Sequence, residues 1–75
     1  MQTDPNTVFV LWCRLTGTGF DEFSDDERRA FLARPQVEAL AATPYDVLLD
    51  AGIDAARHGT LPLEGWLIAV EAVRA

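Results

Sequence analysis

An all-α fold, a compact bundle of about five short helices, follows from three observations on the 75-residue sequence. Helix-start signals recur, with a capping residue or a proline standing where a first turn would begin at Asp4-Pro5, Ser24-Asp25, Arg34-Pro35, Thr43-Pro44 and Pro62. Glycines stand just past two of the resulting segments, at Gly17 and Gly59, where a helix end favours the left-handed backbone that glycine adopts most readily. Only one run, Val8-Phe9-Val10-Leu11-Trp12, is rich in β-branched and aromatic residues, and a lone strand has no sheet to join.

The first segment, about 5–16, therefore reads as a helix despite its strand-like composition, with Asp4 as its cap and Gly17-Thr18-Gly19 as its stop. It is apolar nearly all round: Val8, Leu11, Trp12 and Leu15 share one side while Phe9 and Cys13 lie on another. The second, about 25–33, opens on Ser24-Asp25-Asp26-Glu27, a capping box in which serine and glutamate each satisfy the other's free N–H. Pro35 ends it and opens the third, about 35–42, with Val37, Leu40 and Ala41 at helical spacing.

Thr43-Pro44-Tyr45-Asp46 repeats the start signal, with Asp46 where a capping box wants its acid, and the fourth segment, about 44–58, has the cleanest period in the chain. Tyr45, Leu48, Leu49, Gly52, Ile53 and Ala56 share one face, opposite Asp46, Asp50, Asp54 and Arg57. His58 would occupy its last turn and Gly59 the position after it. A glycine inside a helix costs about 1 kcal/mol relative to alanine, so Gly52 on the apolar face marks a close helix crossing. The fifth segment, about 62–74, turns Leu63, Trp66, Leu67, Val70 and Val73 inward. Ile68 falls on the polar side, between Glu64 and Glu71.

The length admits one domain, 1–75, and a chain of this size buries only about 60% of its unfolded surface. One cysteine and one histidine rule out an intrachain disulfide or a closed metal site within a single chain. Stability must therefore come from the 49% apolar content or from a partner. Twelve acids against six arginines give a net charge of −6, whose field opposes direct contact with nucleic acid or with an anionic membrane. The longest apolar run, Val8 to Cys13, is far shorter than the ~20 residues that span a bilayer, and no basic leader precedes it. A soluble, cytoplasmic protein is expected.

Catalytic chemistry finds little support. Cys13 sits in the most apolar run, where burial makes a thiol inert, and no orienting group accompanies it and His58. Asp54 and His58, four apart on a helix, offer two metal ligands where a closed site wants about four. Gly17-Thr18-Gly19 lacks the remaining glycines and the lysine of a phosphate loop, and the acid-rich stretch lacks the alternation of a calcium loop. The expectation is a non-enzyme with no cofactor and no metal.

Asp21, Glu22, Asp25, Asp26 and Glu27 place five acids in seven residues, interleaved with Phe20 and Phe23. Helix capping accounts for part of this cluster. Aromatic anchors ringed by charge are also a surface that binds protein. The expected contact residues are Phe9, Trp12, Phe20, Phe23 and Ile68, with Asp21, Glu22, Asp25 and Asp26 as a charged rim. A nearly all-apolar first helix adds the expectation that something outside the chain covers it, either a second copy in a homodimer or a larger protein partner.

Ser24-Asp25-Asp26-Glu27-Arg28 followed by Asp46-Val47-Leu48-Leu49-Asp50-Ala51-Gly52 resembles the small helical subunit of protocatechuate 4,5-dioxygenase-type enzymes. That resemblance implies a noncatalytic subunit lying over an active site whose metal ligands belong mainly to another chain. In helix number and length the chain is also similar to small death-like adaptor domains. The shared residues are common caps and core positions, so no functional residue transfers. The reading is a small acidic interaction module, adaptor or regulatory. Its rivals are an inhibitor of phage or mobile-element type that occupies a basic cleft, and a noncatalytic enzyme subunit.

Overall fold

The structure is a computed structural model that describes residues 3–57 and 61–74. Five α-helices follow one another without a β-strand among the described residues: α1 (Pro5–Thr16), α2 (Asp25–Leu32), α3 (Pro35–Ala41), α4 (Tyr45–Ala56) and α5 (Leu63–Arg74). A 3₁₀ turn, Phe20–Glu22, lies between the first two. Each boundary falls within two residues of the expected one. His58 and Gly59 lie outside the described residues.

Local chemistry sets most of these ends. The Asp4 carboxylate accepts from the Thr7 N–H at 2.8 Å and the Thr7 hydroxyl at 3.2 Å, and Pro5 follows as the first helical residue. Gly17 takes the left-handed backbone at φ 72° and stops α1, while the Thr18 N–H reaches back to the Cys13 carbonyl at 3.0 Å. At α2 the capping box forms as expected: Ser24 Oγ accepts from the Glu27 N–H at 3.1 Å and Glu27 Oε1 from the Ser24 N–H at 3.2 Å.

The start of α4 departs from its expected capping box. Pro44 is the cap, its carbonyl accepting from the Leu48 N–H at 2.9 Å, with no side-chain cap. Thr43 instead turns inward, buried, and its hydroxyl donates to the Ala39 carbonyl at 3.3 Å. The helix begins one residue later than that box requires, with Pro44 and not Thr43 at the cap position, and a proline has no side-chain oxygen to offer.

The core gathers Val8 and Leu11 of α1, Val37 and Leu40 of α3, Leu48 and Ala51 of α4, and Leu63, Trp66 and Val70 of α5. Helix α1 packs on α2, α3 and α4, and α3 packs on α1, α2 and α5. The second apolar side of α1 is covered from within: Phe20, Phe23 and Phe31 all lie against Phe9. This corrects the expectation that α1 needs cover from another chain. The short flanking segments suffice because each contributes an aromatic ring instead of an aliphatic side chain, and a ring buries ~150–250 Å².

Gly52 lies at a helix crossing, as its place on the apolar face implied. A Cβ added there would stand 2.5 Å from Leu15 Cδ1 and 3.1 Å from Trp66 Nε1. The Trp66 ring occupies that space, and its N–H donates to the Leu48 carbonyl of α4 at 3.0 Å in a fully buried bond. The crossing also sets which side of α4 faces in. Leu48, Ala51 and Gly52 are buried, whereas Tyr45 and Ile53, expected inside, are 49% and 44% exposed. The inward face is turned toward Ala51 and Ala55, because Trp66 packs closest where α4 has the least side chain.

Candidate protein-binding surface

Five aromatic rings from three elements form one cluster beside the core. Phe9 is its centre, with ring centroids 5.3 Å from Phe23, 5.2 Å from Phe31 and 6.1 Å from Phe20. The first two contacts are edge-to-face, the arrangement that the ring quadrupole favours. Trp12, one turn further along α1, meets Phe23 at 5.8 Å and Phe31 at 5.4 Å. Its indole N–H donates to the Leu61 carbonyl at 2.7 Å, fastening the chain just before α5 to α1.

The expected contact residues separate on this geometry. Phe9 is buried at 5% exposure and Trp12 is half-buried with its N–H engaged, so both act as supports. Phe20 is 49% exposed and Phe23 half-buried, so the outward part of the cluster is Phe20, standing on Phe9. Phe31, which the sequence reading passed over, is the cluster's base. Its signal was its place in the last turn of α2, the one large aromatic on that helix.

The acids adjoin this aromatic edge in the chain: Asp21 and Glu22 follow Phe20 in the 3₁₀ turn, and Asp25 and Asp26 open α2. Asp21, Glu22, Asp25 and Asp26 are all exposed. Glu22 Oε2 accepts from the Gly19 N–H at 3.3 Å, which holds the 3₁₀ turn beneath Phe20. Asp25 meets Arg28 at 3.5 Å and Asp26 meets Arg29 at 3.8 Å, loose solvent-exposed pairs that contribute little to stability. Asp21 has no ion-pair partner among the described residues. The rim therefore keeps most of its negative field for whatever approaches.

Ile68 belongs to a different surface. It is 67% exposed on α5, whose main packing is on α4 and α3, whereas Phe20 stands on α1. Its neighbour Glu64 is engaged by Arg34 at 2.9 Å and Gln36 at 3.0 Å, a polar clasp between the starts of α3 and α5.

Cys13 is buried within α1. Burial pushes its thiol up, and the negative charge of Glu22 adds to the effect, so the group stays protonated and a poor nucleophile. Among the described residues no three His, Cys, Asp or Glu side chains are grouped to hold a metal ion. The pairing of Asp54 with His58 lies outside the described residues. No helix among them is long and apolar enough to cross a membrane.

Comparison with protein-family models, with characterised proteins and with solved structures returns no match.

Proposed function

We propose that this chain is a small acidic protein-protein interaction module, adaptor or regulatory and without catalytic activity, that works in the cytoplasm by binding another protein through Phe20. The observation that carries the reading is a half-exposed aromatic ring seated on the aromatic cluster, with Asp21 and Glu22 exposed in the same 3₁₀ turn and Asp25 and Asp26 exposed in the first turn of α2. A ring held in place before binding loses little conformational freedom on association. The acids add long-range attraction for a basic surface and repel acidic ones.

The partner that fits is a protein with an apolar pocket bordered by Arg or Lys. A second copy fits less well at this patch, since it would bring the same four acids and a net charge of −6 against their like. An inhibitor occupying a basic cleft would use the same residues, so it is a special case of this reading.

Affinity capture from the protein's native cells, with mass spectrometry, tests the proposal. The wild-type chain and an Ile68→Ser variant should retain the same partner, while Phe20→Ser, checked for helical content by circular dichroism, should lose it. Loss with Ile68→Ser but not with Phe20→Ser would overturn the assignment of the surface.

A further inference from the structure

The turned face of α4 leaves a second apolar surface that the Phe20 patch does not explain. Tyr45 and Ile53 are 49% and 44% exposed, and Leu49 between them is half-buried. These three stand four residues apart in succession, so they form a ridge about 12 Å long down α4. Immediately beside it, one residue on at each step, Asp46, Asp50 and Asp54 form a parallel line of exposed carboxylates. Asp54 has a loose partner in Arg57 at 3.8 Å, and Asp46 and Asp50 have none among the described residues.

We propose that this side of α4 is a docking face for a basic amphipathic helix of a partner protein. An apolar ridge at a four-residue repeat is what fits the groove beside a second helix's own four-residue ridge, so that the two ridges interdigitate. The line of aspartates then calls for arginine or lysine at the same repeat on that helix, next to its apolar stripe. A second copy of this chain carries the same acids and lacks the basic line, so the face is complementary to a basic helix and not to itself. The site lies on the helix that packs on α5 and α1, separate from the aromatic cluster, and it does not depend on the role assigned to Phe20.

The test is an NMR titration of the isotope-labelled chain with a synthetic helical peptide bearing leucine at every fourth position and arginine beside each leucine. Saturable shifts should centre on 45–54. The same peptide with glutamate for arginine should not bind. Asp46→Asn with Asp50→Asn should weaken binding about tenfold, which is about 0.7 kcal/mol for each of two exposed charge pairs. Asp21→Asn with Glu22→Gln, the same change in net charge elsewhere, should leave it within about twofold. Equal weakening by the two double variants would show attraction by net charge alone and overturn the proposal, as would the absence of saturable binding. Shifts centred on Phe20 would overturn it too, while leaving the reading of the aromatic patch intact.

Discussion

Gly52 shows how a single residue fixes the arrangement of three helices. With no side chain there, α4 receives the Trp66 ring against its backbone and the end of Leu15 alongside. The indole N–H then reaches the Leu48 carbonyl, so a large ring is buried with its one polar atom satisfied. An added side chain must displace Leu15, which is flexible, and Trp66, which is fully buried and hydrogen-bonded. Leucine at this position would help the helix by roughly 1 kcal/mol in intrinsic preference. Overpacking at a closed crossing costs about 1–3 kcal/mol and also forfeits the buried indole bond. Gly52→Leu should therefore lower the melting temperature, by about 4–8 °C for each kcal/mol lost in a domain of this size. A rise, measured by thermal circular dichroism, would mean that α4 is not held at this crossing.

At the scale of elements, what is local in the chain was legible and what depends on distant packing was not. Asp4-Pro5, Ser24 with Glu27, and Gly17 each satisfy backbone groups within a few residues of themselves, so the positions of α1 and α2 can be read directly. The orientation of α4 cannot, because its sequence carries apolar residues around more than half its circumference. Trp66, eighteen residues from Leu48, decides which of them go inside. The cover of α1 was illegible for the same reason. Phe20, Phe23 and Phe31 are scattered over the 3₁₀ turn, the residue that follows it and α2, and nothing in their spacing says that all three converge on Phe9. Of the candidate residues, Phe20 and the four acids are exposed, Phe23 and Trp12 half-buried and Phe9 buried, a gradation set by how the chain after α1 folds back onto it. Helix α2, only eight residues long, depends on its cap more than a longer helix would. Ser24→Ala removes the acceptor for the Glu27 N–H and should cost about 0.5–2 kcal/mol. Denaturant unfolding should show that loss, with α2 amides exchanging faster than those of α4.

For the molecule as a whole, the fold and the proposed recognition surface share Phe20 but otherwise draw on different residues. The core and the aromatic cluster hold the bundle together, and Phe9 and Trp12 belong to that task. Of the acids at the edge, Asp21 has no ion-pair partner among the described residues and the pairs of Asp25 and Asp26 with arginine are loose and solvent-exposed, so their charge remains open to an approaching partner. Neutralising Asp21 and Glu22 should spare the fold, since Asp21 is exposed and glutamine at position 22 keeps an oxygen for the Gly19 N–H. The same change reduces steering toward a basic partner, which acts on the association rate and weakens as salt rises. The most direct measurement is thus the association rate of Asp21→Asn with Glu22→Gln against the captured partner, across a range of salt, beside the variant's melting temperature. The account predicts an unchanged melting temperature, slower association and a shallower salt dependence than wild type. Unfolding of the double variant, or association as fast and as salt-sensitive as wild type, would contradict it.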